Sequence, residues 1–215
     1  MTTNLIIIGV VILFIAGIMF LNSGSPSKKK SREDLLADLA KVLEGKLVPI
    51  EDYQNSYRIS FDFEGYKFNY EDIEAASFKD KIYKSYIKIS TTSKLTLTFG
   101  EKKRTQLIEH SKTVQHGVVR LPKELQNFGA FSNNPPAAEV FLDDVKVLKI
   151  LKKFQDVDTW GRPMMAVKIS SGTIIVEFDS TGRSIHKALR FVTESSVIEE
   201  YLDDVLVLTK KLEAL

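Results

Sequence analysis

The chain has 215 residues, 44% of them hydrophobic, no cysteine, and a formal net charge of +2. That length suits one globular domain, or two small subdomains sharing a core, beside a short terminal segment. The lack of cysteine excludes disulfides, thiolate zinc sites, a cysteine nucleophile and a lipidated N-terminal cysteine.

Residues 5–21, LIIIGVVILFIAGIMFL, form an uncharged and almost wholly apolar run of 17 residues. This is at the short end of what crosses a bilayer as a helix. Met1 to Asn4 carry no side-chain charge, so the positive n-region of a cleaved signal peptide is missing and a signal anchor over residues 1–22 is expected. Lys28, Lys29, Lys30 and Arg32 follow within a polar linker, residues 23–32. Cations beside a span favour the cytoplasmic side. The expected protein is therefore single-pass in the plasma or inner membrane, N-terminus outside, with its soluble part in the cytoplasm.

Leu35, Leu36, Leu39, Ala40 and Leu43 recur at helical spacing, and Gly45 supplies a stop, so an amphipathic helix is expected over Glu33–Glu44. Tyr57, Ile59, Phe61 and Phe63 alternate with polar residues. After Glu64-Gly65, so do Tyr66, Phe68 and Tyr70, which reads as a β-hairpin. A second alternating pair follows, with Ile87 and Ile89 on one side of Thr91–Ser93 and Leu95, Leu97 and Phe99 on the other. Such alternation fits an antiparallel sheet with one buried face. Glu101–Gln126 reads as partly loop.

Phe128–Phe131 reads as a short strand. Asn134 then caps a helix that opens on Pro135 and runs to about Phe154. Ala166–Ile169 and Ile174–Phe178 suggest a hairpin around Ser171-Gly172, and Ile185 to Val192 a helix. Ser196 with Glu199 forms a capping-box pattern before a final helix through Leu212. The expected class is α+β: a transmembrane helix, then antiparallel sheet covered by amphipathic helices, divided into subdomains 33–125 and 126–215. Residues 139–148 also echo residues 199–208, as a duplicated unit or as two similar amphipathic helices.

The order of these elements resembles that of uncharacterised prokaryotic single-span membrane proteins with a soluble α+β domain of unknown function. The matching stretches are Leu35–Gly45, Tyr57–Phe99, Phe131-Ser132-Asn133 through Val145, Met165–Phe178 and the C-terminal helix. The resemblance implies the fold order and no activity.

Chemistry-bearing patterns are sparse. No glycine-rich phosphate loop and no G-x-S-x-G elbow occurs. His110 and His116 stand at a spacing that matches no common metal motif. Asp143-Asp144 and Asp203-Asp204 read as solvated helix faces or caps, because adjacent helical residues diverge by about 100°. The Asp156-to-Pro163 loop, with Trp160 and Arg162, reads as a connector. No cofactor, metal or catalytic residue is therefore expected, and the chain is not expected to be an enzyme.

Charge is unevenly spread. Glu33–Phe78 carries 4 basic and 11 acidic residues, Lys79–Glu124 carries 11 basic and 4 acidic, and Leu125–Leu215 carries 11 and 13. The soluble part sums to −2, which argues against nucleic-acid binding. The leading expectation is a membrane-anchored scaffold or protein-interaction domain with an unidentified protein partner. The alternative is a domain that docks on anionic headgroups through Lys28, Lys29, Lys30, Arg32, Lys84, Lys88 and Lys94. A third reading is an enzyme with an atypical site.

Overall fold

Alternation along residues 57–63 and 66–70 builds strands as expected, and the sheet they join extends well beyond one hairpin. The computed structural model describes residues 30–75, 82–110, 116–154, 165–170, 172–180, 192–193 and 195–215. The elements in chain order are α1 (Arg32–Val42), β1 (Lys46–Pro49), β2 (Tyr57–Phe63), β3 (Tyr66–Ala75), β4 (Ile82–Ser90), β5 (Leu97–Glu101), α2 (Lys102–His110), β6 (Gly117–Val118), β7 (Phe128–Ser132), α3 (Pro135–Asp143), α4 (Val145–Phe154), β8 (Met165–Ser170), β9 (Thr173–Ser180) and α5 (Ser195–Glu213). The protein is a mixed α+β fold.

Among the described residues, nine strands lie in one antiparallel sheet of order β1-β2-β3-β4-β9-β8-β5-β7-β6. Its register aligns an apolar row across seven strands: Ile59, Tyr70, Ile87, Val176, Val167, Phe99 and Ala130. A second row holds Phe61, Phe68, Ile89, Ile174, Ile169 and Leu97. These side chains are buried and share one core with Leu36 and Leu39 of α1, Phe141 and Leu142 of α3, Val147 and Leu151 of α4, and Leu202 and Val205 of α5. Period-2 alternation thus commits one sheet face to the helices and leaves the other to different neighbours.

Several local expectations hold with physical detail. Glu64 and Gly65 take φ of 50° and 80°, the left-handed pair that a two-residue hairpin turn needs. Asn134 caps α3 by accepting from the Ala137 N–H. Gly45 acts differently from expectation. Glu44 is the left-handed residue that ends α1, at φ 50°, and the Gly45 N–H returns to the Ala40 carbonyl at 2.8 Å. A Cβ on Gly45 would stand 2.8 Å from Ile59 Cγ2, so this glycine serves a close approach of α1's end to β2.

Other expectations are corrected. The runs on either side of Thr91–Ser93 do not form a hairpin: β4 pairs with β3 and β9, while β5 lies between β8 and β7. Strands from both sides of the 125/126 boundary interleave in the sheet, and Glu33–Leu215 is one compact unit. Part of Glu101–Gln126 is helical, as α2. The helix from Pro135 breaks at Asp144, whose backbone is extended (ψ 129°). Asp144 then caps α4 by accepting from the Lys146 and Val147 N–H groups at 2.9 and 3.2 Å. Residues 139–148 straddle this break, whereas 199–208 lie within the uninterrupted α5, so the two echoing segments differ in backbone form.

The anchor expected over residues 1–22 and the helix expected over Ile185–Val192, apart from Val192 itself, fall outside the described residues. Among the described residues, no helix is long and apolar enough to cross a membrane.

The C-terminal helix is fastened at both sides by charge. Lys211 Nζ meets Asp144 Oδ2 at 2.6 Å, and Lys153 Nζ meets Asp204 and Glu200 at 2.5 and 2.7 Å while lying 5.1 Å over the Tyr201 ring. At the helix end, Glu213 accepts from Thr92 N, Thr91 Oγ1 and Tyr66 Oη at 3.0, 3.1 and 3.0 Å. The Thr92 N–H leads these donors in holding the Glu213 carboxyl below its ordinary 4.5. The Lys211 ammonium does the same for Asp144 against 3.8. A carboxyl with a depressed folded pKa stabilises the fold above its unfolded value, and that contribution fades as pH falls through the folded one. Glu213→Gln is therefore expected to lower stability at pH 7 by about 1–2 kcal/mol. The same variant should lose less than the parent between pH 4.5 and pH 2 in urea melts.

Candidate interaction surface

Strand residues that alternate with the core rows point to the opposite face. Over β5 and β7 that face is covered by α2. The cover is close: a Cβ on Gly129 would lie 3.2 Å from Lys102 Cα, and Thr98 and Thr105 are buried beneath or within α2. Across β2, β3, β4, β9 and β8 no described helix covers the face.

Two transverse rows define this open area. One runs Arg58, Glu71, Tyr86 and Glu177, the other Ser60, Asn69, Lys88, Ile175 and Lys168. Glu71 stands at its centre with its side chain only 5% exposed, bonded by Arg58 Nε at 2.8 Å and Lys88 Nζ at 2.6 Å. Lys88 Nζ also lies 5.7 Å from the Tyr86 ring centre. Lys84 Nζ faces Glu177 Oε1 at 3.4 Å, and Ser60 Oγ donates to Asn69 Oδ1 at 2.6 Å. The result is a charge-matched array with Tyr86, Ile73 and Ile175 half-buried among the ions.

Removing the central carboxylate would leave two partly desolvated cations facing each other. Glu71→Gln is expected to cost about 2 kcal/mol, below the range for fully buried pairs because Arg58 is 43% exposed. Chemical denaturation at low and high salt checks this; added salt should narrow the gap by screening the cations.

The residues nominated from sequence separate. Lys84 and Lys88 do share a strand face, and each is matched to a carboxylate. Lys94 is exposed in the segment between β4 and β5, where its carbonyl accepts from Asn133 Nδ2 at 3.3 Å. Lys30 is exposed and Arg32 opens α1; Lys28 and Lys29 lie outside the described residues, as does the Trp160 loop. Asp144 is a helix cap and Asp204 an ion-pair partner, while Asp143 and Asp203 are exposed. His110 Nδ1 donates to the Gln106 carbonyl at 2.6 Å, and His116 lies beside Glu109. Among the described residues, no group of three or more His, Asp or Glu side chains is arranged to hold a metal ion. The centrality of Glu71 was hidden in the sequence, since its partners are 13 and 17 residues away. The signal that could have found it is an acidic residue at a wet-face position of β3, flanked in the neighbouring strands by cations on their own wet faces.

No protein-family model, curated protein or solved structure matches the chain.

Proposed function

We propose that this protein is a membrane-tethered interaction domain that presents the open sheet face to a protein partner on the cytoplasmic side. The observation that carries this reading is the charge matching of the face. Lys84 and Lys88 are each bound to a carboxylate of the same face, so the cations available to attract phosphate headgroups are reduced, while a patterned polar and apolar relief remains. Interfaces of non-obligate complexes have this mixed composition, with specificity set by placed charges. The tether itself rests on residues 5–21 and the flanking cations of the sequence, which favour the cytoplasmic side.

Two measurements test the reading. A photo-crosslinker placed in turn at Ser60 and Lys168, both exposed on the open face, should capture one and the same protein in intact cells. The capture at Ser60 should be lost on adding Lys168→Glu and kept on adding Lys210→Glu, which lies on α5. Different or no adducts from the two positions would refute the shared surface. Residues 33–215 should bind neutral and anionic vesicles equally. A strong preference for anionic vesicles would transfer support to headgroup docking.

A further inference from the structure

Near the C-terminal turn of α2, on the sheet face that this helix covers, three side chains from separate segments meet. Thr96 precedes β5, Glu109 lies on α2 and His116 precedes β6. The imidazole stands between the other two, with Nε2 3.3 Å from Thr96 Oγ1 and Nδ1 3.5 Å from Glu109 Oε2. Glu109 is 4% exposed and the His116 side chain 15%, while Thr96 is half-buried.

The order matters chemically. A hydroxyl 3.3 Å from Nε2 and a carboxylate within ion-pair distance of Nδ1 allow the ring to take the hydroxyl proton while the carboxylate stabilises the imidazolium. Hydroxyl–imidazole distances slightly above 3 Å are common before substrate arrives. Thr96 is also braced. Its N–H donates to Asn133 Oδ1 at 2.9 Å, and its carbonyl accepts from Ser132 Oγ at 2.6 Å. Together the two bonds fix the backbone that carries the hydroxyl.

We infer that Thr96 is a nucleophile activated by His116, with Glu109 as its positioning residue, and that the site takes carboxylic esters. This activity is additional to the proposed interaction surface and independent of the tether. Thr96 Oγ1 bonds to the ester carbonyl carbon as its proton passes to His116 Nε2. The bond from that carbon to the alcohol oxygen then breaks, and the alcohol leaves with the proton. Water, losing a proton to the same nitrogen, cleaves the acyl–Thr96 ester, releases the carboxylic acid and restores the hydroxyl.

The test uses the full chain in mild detergent and a fluorophosphonate probe, which bonds to activated hydroxyls with loss of fluoride. Peptide mapping should find the adduct on Thr96. Labelling should persist in Thr96→Ser, vanish in the near-isosteric Thr96→Val, and slow about 100-fold in His116→Gln. Glu109→Gln should slow labelling about 10-fold or more with the melting midpoint held within a few degrees. No adduct, an adduct on another hydroxyl, or an unchanged rate in His116→Gln would overturn the proposal. Mapping on the unaltered chain decides the matter even where a variant fails to fold.

Discussion

Phe68→Ala is expected to destabilise the protein by about 3–5 kcal/mol, among the largest effects of any single side chain here. Phe68 is 1% exposed and sits between Phe61 and Ile89 in the second apolar row. Its ring stacks on Phe61 at 5.7 Å and meets Phe63 edge-on at 5.8 Å. Truncation removes the transfer energy of the ring, leaves a cavity that rigid strands on both sides cannot close, and forfeits both aromatic contacts. Since a domain of this size is commonly stable by only about 5–15 kcal/mol, a substantial part of the total disappears. Lys67→Ala, one residue away on the opposite face and exposed, should change stability by no more than about 0.5 kcal/mol. Urea unfolding of the two variants side by side therefore tests the register of β3. A slip of one residue would exchange the two outcomes.

Gly129→Val addresses the other face and should cost about 3 kcal/mol. A Cβ at this position would fall 2.2 Å from Thr105 Oγ1 and 3.2 Å from Lys102 Cα. Neither neighbour yields easily. Thr105 is 1% exposed, and its hydroxyl donates to the carbonyls of the preceding turn, Glu101 at 3.2 Å and Lys102 at 3.0 Å. Lys102 Cα is helix backbone. Relief requires α2 to lift from β5 and β7, so hydrogen exchange should accelerate across Lys102–His110 and much less in β2–β4. Gly129→Ala combined with Thr105→Ala should recover most of the loss, because the closest clash is with the threonine side chain. Uniform acceleration over the whole sheet would mean that α2 is not the element displaced. The same lifting would separate Glu109 from His116, so fluorophosphonate labelling of Thr96 should fall in parallel with the exchange.

The acid sensitivity of Glu213 and the salt sensitivity at Glu71 report on different parts of the molecule. Glu213 ties the end of α5 to the Thr91-Thr92 turn and to Tyr66 at the start of β3. Glu71 ties three strands together on the open face. Because these sites share no partner, their effects should add in a double variant.

What the amino-acid order determined by itself is the local structure. Alternation specified β2, β3, β8 and β9, Glu64-Gly65 specified a hairpin turn, and Asn134-Pro135 specified a helix start. Each depends on neighbours a few residues apart. The apolar stripes of α1 and α5 were equally legible, since burial of one face imposes a period of 3.6. Only the tertiary structure decided which strands pair over distance. Nothing in β4 or β5 prefers β9 or β8 over each other, because cross-strand partners of either type satisfy the same backbone groups and the same apolar row. It also decided α2, whose buried described residues, Thr105 and Glu109, are polar and give no apolar pattern to read. Thr98, polar and on the nominally wet face, is buried beneath it. The two candidate sites share that origin. Glu71 with Arg58 and Lys88, and Thr96 with His116 and Glu109, are assembled across strands and segments by the sheet, and electrostatic neighbours made this way have no spacing along the chain to reveal them.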